Sequence, residues 1–153
     1  MLVEDLHVMP GHLIRRAQQI AVAIFIEECA AYDLTPVQFA ALVAIRGSEG
    51  IDATRLSALV ALDRSTLGNV LERLEARGLV TRYASGDDKR VKLLKISPSG
   101  RALVKRSQAA ALRAQERILA PLQPKDRDTL MRLLSQLVEL NNDASRAPQR
   151  LAG

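Results

Sequence analysis

Residues 63–100, DRSTLGNVLERLEARGLVTRYASGDDKRVKLLKISPSG, decide the fold of this chain. Asp63 can cap a helix, because its carboxylate accepts a backbone N–H that the first helical turn leaves unpaired. Apolar residues then recur at helical spacing and must face a core, which turns the polar residues between them outward. Gly78 ends this helix, here called the reading helix, since glycine tolerates the left-handed conformation of a helix terminus. The apolar residues are Leu67, Val70, Leu71 and Leu74, and the polar residues are Ser65, Thr66, Asn69 and Arg73.

A basic two-stranded ribbon is predicted after Gly78. Residues 79–83 and 90–96 have strand-like sequences, and a polar link with a glycine joins them at 84–89. A basic tip on a narrow turn suits the minor groove of DNA, where the negative potential is strongest. An ordinary solvated hairpin is the alternative. The basic residues of the ribbon are Arg82, Lys89, Arg90, Lys92 and Lys95.

Two shorter helices are predicted before the reading helix. Thr35 caps the first, with Pro36 at the first helical position and Gln38 completing a reciprocal capping box. Asp52 caps the second, and only residues 61–63 separate it from the reading helix. Two helices joined this tightly, the second with a polar outer face, predict a helix-turn-helix that reads a major groove. For the reading helix alone, a merely solvated polar face is an equally good explanation.

Long amphipathic helices flank this unit, and a compact winged helix-turn-helix does not need them. Packing against a second subunit explains them better, so the sequence predicts a homodimer with reading helices about one DNA turn apart. The predicted fold is mainly α: about six helices plus a two-stranded β-wing. Residues 1–10 are expected to form a loose arm. The predicted divisions are dimerisation helices at 10–33 and 98–142, a winged helix-turn-helix at 34–97 and a flexible tail at 143–153.

Composition favours a nucleic-acid partner and disfavours several other classes. The 153 residues carry a net charge of +5, and the hydrophobic content of 48% allows a core. A basic balance favours nucleic acid or another anionic surface. The longest apolar runs, such as 20–26, are too short to span a bilayer, and residues 1–10 lack a secretion signal, so a cytoplasmic location is expected. The sequence contains no phosphate loop, dinucleotide turn or nucleophile motif, so neither an enzyme nor a cofactor is expected. His7 and His12 with scattered carboxylates fall short of a metal site.

The order of these motifs resembles the MarR family of bacterial transcription regulators over about residues 10–140. LTPVQF at 34–39, DRSTL at 63–67, LEARGLV at 74–80, DKRVKL at 88–93 and SPSG at 97–100 carry the resemblance. It implies a dimeric repressor that leaves a pseudo-palindromic operator when a small molecule binds. It also implies that Arg90 enters the minor groove and that Asp88 braces the wing by a salt bridge. The residues assigned to DNA are Arg64, Ser65, Thr66, Asn69, Arg73, Asp88, Lys89 and Arg90.

The segment PGHLIRR at 10–16 looks like the opening of family members that control aromatic-acid catabolism. This resemblance implies a small aromatic carboxylate as effector, with a nicotinate-type ligand such as 6-hydroxynicotinate favoured. Arginine suits a carboxylate because its planar guanidinium can donate two parallel hydrogen bonds. An ordinary solvated helix face is the alternative. The predicted ligand residues are His12, Arg15, Arg16 and Gln19, with Phe39 as an apolar wall.

Cys29 raises a rival hypothesis, a thiol-based redox sensor, since some members of this family sense peroxide through a cysteine. Their cysteine lies near the start of the first long helix, whereas Cys29 lies near its end. The neighbouring Glu28 carboxylate would raise the thiol pKa and slow oxidation. A ligand-independent architectural DNA-binding protein is the other alternative. The single cysteine excludes an internal disulfide.

Overall fold

The computed structural model describes residues 2–86 and 88–150, and the mainly helical winged helix-turn-helix architecture is confirmed in them. One helix, Val3–His7, was not predicted, and it lies where a loose arm was expected. Short 3₁₀ turns lie at Ala30–Tyr32 and Asn142–Ala144. The described helices are α1 (Val3–His7), α2 (Pro10–Glu28), α3 (Pro36–Gly47), α4 (Ala53–Val60), α5 (Arg64–Ala76), α6 (Pro98–Leu119) and α7 (Pro124–Leu140), and the strands are β1 (Ile51–Asp52), β2 (Val80–Ala84) and β3 (Lys92–Ile96).

Side-chain caps fix where the helices of the central unit begin, as the sequence predicts. Thr35 Oγ1 accepts a hydrogen bond from the Gln38 N–H at 3.3 Å, and Gln38 Oε1 accepts one from the Thr35 N–H at 3.0 Å. These bonds satisfy N–H groups that a helix start otherwise leaves unpaired. The two other predicted caps accept from the N–H three residues ahead, Asp52 from Arg55 at 2.8 Å and Asp63 from Thr66 at 3.0 Å. Ser97 caps α6 in the same way, accepting from Gly100 at 3.0 Å.

The sheet has three antiparallel strands in the order β1–β3–β2, one more than the predicted ribbon. Ile51 of β1 lies opposite Leu94, and Val80 of β2 lies opposite Ile96. The extra strand joins the start of α4 to the base of the wing. β1 contains two residues, which is too short to produce the alternation by which a strand is recognised in a sequence.

The core lies between α3, α4, α5 and the sheet. The apolar stripe predicted for the reading helix, which is α5, is buried, and the helix packs against α3, α4 and β2. Burial of this apolar surface is the main stabilising contribution to the head of the protein. The most deeply buried large side chains of this core are Leu42, Ile45, Leu56, Leu67, Leu71, Leu74, Val80, Leu94 and Ile96.

Helix α6 packs against α2 and α3, and ion pairs reinforce the contact with α2. Arg117 donates to Glu28 at 2.9 Å and to Glu27 at 2.9 Å, while Arg113 donates to Glu28 at 3.1 Å. The hydrogen bond from Arg117, followed by that from Arg113, lowers the pKa of Glu28. This end of α2 is therefore fixed to α6 at neutral pH, where the Glu28 carboxylate is ionised.

Helix α7 packs differently, because none of its residues is buried. Its apolar stripe is exposed, together with apolar side chains of α1 and α2. Within residues 2–86 and 88–150, no helix is both long and apolar enough to cross a membrane. The exposed apolar residues of α7 are Leu130, Met131, Leu133, Leu134, Leu137, Val138 and Leu140.

The C-terminal segment predicted as a flexible tail, residues 143–153, makes hydrogen bonds to Asn142 and to α4 in its described part. The Gln149 N–H donates to Asn142 Oδ1 at 2.8 Å, and Asn142 Nδ2 donates to the Gln149 carbonyl at 3.1 Å. The Arg150 N–H then donates to the Ala58 carbonyl of α4 at 2.9 Å. Residues 142–150 are thus held against α4 by polar contacts between residues far apart in sequence. No local sequence pattern predicts such contacts. Residues 151–153 lie outside the described residues.

Candidate nucleic-acid interface and effector pocket

The outer face of α5 carries the polar residues that the sequence assigns to DNA. Arg64, Ser65, Thr66, Asn69 and Arg73 are all exposed, while the apolar residues between them are buried. Thr66, Asn69 and Arg73 line one groove, beside the start of α3 and the outer side of α2. A single helix fits a DNA major groove, and this face carries hydroxyl, amide and guanidinium groups that can donate hydrogen bonds to base edges and phosphates.

The start of α5 is held in a fixed geometry. Thr66 donates to Asp63 twice, from its N–H at 3.0 Å and from its hydroxyl at 2.7 Å. The backbone hydrogen bond from Thr66 is the largest cause that lowers the pKa of Asp63, so the cap is ionised at neutral pH. Arg64 Nη2 donates to Thr54 Oγ1 of α4 at 3.2 Å. The two helices of the predicted helix-turn-helix are therefore joined at the end that would meet DNA.

The wing presents Arg90 in the arrangement that the family resemblance implies. Arg90 Nε and Nη2 donate to the two Asp88 oxygens at 3.2 and 3.3 Å, and the Arg90 N–H donates to Asp88 Oδ1 at 2.9 Å. Hydrogen bonds from the Arg90 side chain, then from its backbone, lower the pKa of Asp88. The Arg90 side chain nevertheless remains 92% exposed, and Lys89 beside it is also exposed. Asp87, in the predicted link, lies outside the described residues.

Arg77 is a candidate functional residue that sequence reasoning missed. Its Nη1 donates to the Asp33 carbonyl at 2.5 Å and its Nη2 to the Tyr32 carbonyl at 3.0 Å. These carbonyls belong to the connection between α2 and α3. Arg77 therefore joins that connection to the end of the reading helix. The partners lie more than forty residues away in sequence, at separations of 44 and 45, so no local pattern predicts the contact.

The predicted ligand residues fall in two places. Arg15 Nη1 donates to Gln19 Oε1 at 3.0 Å, and Arg15 Nη2 lies 3.4 Å from His12 Nδ1 on the same side of α2. Arg16 is exposed beside this cluster. Partial burial and then the Arg15 charge lower the pKa of His12, which favours the neutral ring at neutral pH. This cluster stands apart from Phe39, the fifth predicted ligand residue.

Phe39 lines a cavity of about 460 Å³ between α2, α3 and α6. Its ring packs 5.8 Å from that of Phe25, and Arg46 supplies a positive charge to the lining. Arg15 precedes Phe25 by ten residues on α2, which is about 15 Å along a helix, so the two sites do not merge within one chain. The lining residues are Phe25, Pro36, Phe39, Ala40, Val43, Arg46, Val104, Gln108, Ala111, Leu112 and Gln115.

Arg46 was not predicted as a ligand residue, although its spacing gave a signal. It follows Phe39 by seven residues, which is two helical turns, so both side chains lie on one face of α3. Gln108 and Gln115 come from α6, and nothing in the sequence places that helix opposite Phe39. An apolar cavity with an aromatic pair, one guanidinium and two amides has the composition of a small-ligand site. Within residues 2–86 and 88–150, no group of three or more His, Cys, Asp or Glu residues is placed to hold a metal ion.

Cys29 has no exposed surface, and its surroundings disfavour a thiolate. Burial is the largest cause that raises its pKa, and the Glu28 carboxylate raises it further. A buried thiol with a raised pKa reacts slowly with peroxide. These observations favour a packing role over the redox hypothesis.

Comparison with known proteins identifies the family. Residues 32–91, from the 3₁₀ turn after α2 to the wing, match the MarR family. The HTH-type transcriptional repressor NicR of Pseudomonas putida is 30% identical over 134 residues, which cover 88% of this chain and 85% of NicR. The chain belongs to the MarR family. The resemblance drawn from its motifs is therefore confirmed, and the proteins it matches are transcription regulators rather than enzymes.

Two solved structures of this MarR-family fold extend the comparison. BpsR of Bordetella bronchiseptica is 33% identical with a TM-score of 0.80, covering 86% of this chain and 94% of that one. Its structure concerns regulation of DNA binding by 6-hydroxynicotinic acid. The repressor CouR, bound to a 23-mer DNA duplex, is 28% identical with a TM-score of 0.79, covering 90% of this chain and 98% of that one.

Proposed function

We propose that this protein is a transcriptional repressor that leaves its operator when a small aromatic carboxylate, such as 6-hydroxynicotinate, binds. The observation that carries the proposal is the cavity between α2, α3 and α6. It combines apolar walls and the Phe25–Phe39 pair with the Arg46 guanidinium, a set that suits an aromatic ring bearing a carboxylate. Regulation of BpsR by 6-hydroxynicotinic acid and the similarity to NicR support this effector class. Binding to operator DNA would place its action in the cytoplasm.

In this proposal the DNA interface consists of the outer face of α5 and the tip of the wing. The α5 residues would contact the major groove, and the wing residues would contact the minor groove with Asp88 as the brace. The exposure of these side chains and the fixed geometry of both elements support the assignment. The proposed contacts are Arg64, Ser65, Thr66, Asn69, Arg73, Lys89 and Arg90.

The repressor would act as a homodimer that contacts a pseudo-palindromic operator. The exposed apolar stripe of α7, continued by apolar side chains of α1 and α2, supports this assembly. An apolar stripe of this length on a helix is normally covered by packing. A second copy of the chain covers it symmetrically and gives two reading helices. The dimerisation regions would be 10–33 and 98–142, and the DNA-binding domain would be 34–97.

The mechanism would be a shift between two populations of the dimer. A ligand in the cavity contacts α2 and α6 on one side and α3 on the other, so it favours one separation of these helices. Arg77 joins the α2–α3 connection to α5, so that separation biases the position of the reading helix. The ligand releases DNA only if it prefers the arrangement in which the two reading helices do not fit the operator.

A gel shift on DNA upstream of the gene, titrated with a panel of aromatic carboxylates, tests the proposal. We expect one of the nicotinate-type acids to weaken DNA binding and the corresponding neutral amide to have no effect, because the amide lacks the anionic group. The same acid should raise the melting temperature of the protein by linkage. DNA binding with no response to any acid, and no thermal shift, would indicate the ligand-independent architectural alternative instead.

Substitution of arginines separates the two candidate anchors for the carboxylate. Arg46→Ala is expected to raise the effector concentration needed for release about tenfold or more, since a charge-assisted hydrogen bond contributes about 1.5–3 kcal/mol. Arg15→Ala and Arg16→Ala test the cluster on α2 in the same way. Operator affinity without effector should stay unchanged in all three. Arg106→Ala, exposed on α6 outside the cavity, is the matched control. Normal release in all three variants would refute both anchors.

A further inference from the structure

The segment 142–150 completes the end of α4. The last carbonyls of a helix have no partner within it. In α4 the Ala58 carbonyl accepts the Arg150 N–H at 2.9 Å, and the Leu59 carbonyl accepts Gln149 Nε2 at 3.1 Å. The paired hydrogen bonds between Asn142 and Gln149 close the segment into a compact loop. The C-terminal segment is therefore part of the helix-turn-helix surface.

This loop places Arg146 beside the turn that leads into the reading helix. Its neighbours Ser145 and Ala147 line one cavity of about 450 Å³ together with Ala61, the residue that ends α4. Only Leu62 and Asp63 separate Ala61 from α5. The side chain of Arg146 thus originates at the end of α5 that carries Ser65 and Thr66.

The guanidinium of Arg146 is available for an anion from outside the chain. Arg146 is exposed and forms no ion pair within 4.0 Å in the described part of the chain, whereas Arg150 is paired with Asp143 at 3.0 Å. After the hydrogen bonds from Thr66 and Ser65, the Arg146 charge also lowers the pKa of Asp63, so the two groups are near each other. The Asp63 oxygens already accept from Thr66. In the described part of the chain the Arg146 side chain makes no hydrogen bond or ion pair, so its donors can meet a phosphate oxygen.

We propose that Arg146 contacts a DNA phosphate and that the docked C-terminal segment extends the DNA interface beyond the reading helix and wing. This inference rests on the proposed operator binding. When the start of a reading helix enters a major groove, the phosphates at the groove edge lie beside the preceding turn. Arginine suits this position because its planar fork matches the oxygens of a phosphate.

The test compares Arg146→Gln, Arg146→Lys and Lys125→Gln with the wild-type dimer, by measuring DNA affinity by anisotropy over a range of salt concentrations. Each lost phosphate contact makes the negative slope of log K against log salt less steep by about 0.9, and a homodimer loses two, so the slope should change by about 1.8. We expect this change in Arg146→Gln, equally for operator and unrelated DNA, and a near wild-type slope in Arg146→Lys. Lys125 is exposed at the start of α7, and the 17 residues of that helix, about 25 Å long, separate it from the segment that contains Arg146. Lys125→Gln removes the same charge at a distant site, so it controls for net charge.

An unchanged slope in Arg146→Gln would overturn the inference. An equal loss of steepness in Lys125→Gln would also overturn it, because it would indicate a net-charge effect. Arg90→Ala separates this result from failure of the proposed function. If Arg90→Ala makes the slope less steep and Arg146→Gln does not, only the proposed phosphate contact of the C-terminal segment is refuted. If the wild-type protein shows no salt-dependent DNA binding, the proposed function itself fails.

Discussion

Arg90→Ala is expected to weaken binding to operator and unrelated DNA alike, by about tenfold or more at low salt. The Arg90 side chain is 92% exposed yet held in one orientation by two bonds to Asp88, so little freedom remains to be lost on binding. A charge-assisted hydrogen bond contributes about 1.5–3 kcal/mol, which sets the size of the effect. The negative slope of log K against log salt should become less steep by about one unit per protomer. Unchanged affinity and slope would show that the wing does not meet DNA.

Asp88→Asn distinguishes positioning by the brace from simple charge. The substitution makes the protein more positive by one charge, so electrostatics alone would strengthen DNA binding. Asparagine keeps one acceptor oxygen but lacks the second acceptor and the negative charge, so its hold on the Arg90 side chain is weaker and positioning predicts weaker binding. Because Arg90 lowers the Asp88 pKa, the brace is lost only when pH falls through a value below the ordinary aspartate range. DNA binding should therefore show no wing-dependent change between about pH 6 and 8.

Local chemistry made the central unit predictable. The caps at Thr35, Asp52, Asp63 and Ser97 act on N–H groups three residues away, and the apolar stripe of α5 repeats every three or four residues. Such signals lie within a window that a sequence displays directly. The Asp88–Arg90 pair is likewise separated by two residues. The helix starts and the buried face of α5 followed from short-range rules, whereas the brace was implied by the family resemblance.

Long-range contacts explain what the sequence did not reveal. β1 exists because Ile51 meets Leu94, and the C-terminal segment is fixed because Gln149 reaches Leu59 across 90 residues. The cavity needs α6 opposite α3, so the shared face of Phe39 and Arg46 on α3 became a candidate site through the packing of distant helices. In each case a short or polar segment is stabilised by a partner that periodicity cannot locate. The same limit applies to Arg77 and its two carbonyl partners.

Gly100→Ala is expected to lower the free energy of unfolding by about 1–3 kcal/mol, the usual cost of overpacking. Gly100 is buried at the start of α6, and an added Cβ would overlap the Leu79 carbonyl and lie 2.8 Å from the Ile96 side chain. A backbone carbonyl cannot turn aside as a side chain can. Displacing α6 would also weaken the bonds from Ser97 to Gly78 and Leu79, at 2.7 and 3.0 Å. Urea unfolding monitored by circular dichroism measures the change.

Gly68→Ala is the matched control, because a methyl group there meets no atom within 4 Å and the residue lies inside α5. Alanine is favoured over glycine in a helix interior by about 1 kcal/mol, so this variant should be more stable than the wild type. Equal stability of Gly100→Ala and wild type would show that α6 is not seated tightly on the wing base. Gly68 lies on the reading helix, so its variant also tests close approach to DNA. A more stable protein with weaker operator binding would mean that close approach to the DNA groove requires residue 68 to have no side chain. Unchanged binding would mean that Gly68 lowers helix stability without a role in DNA binding.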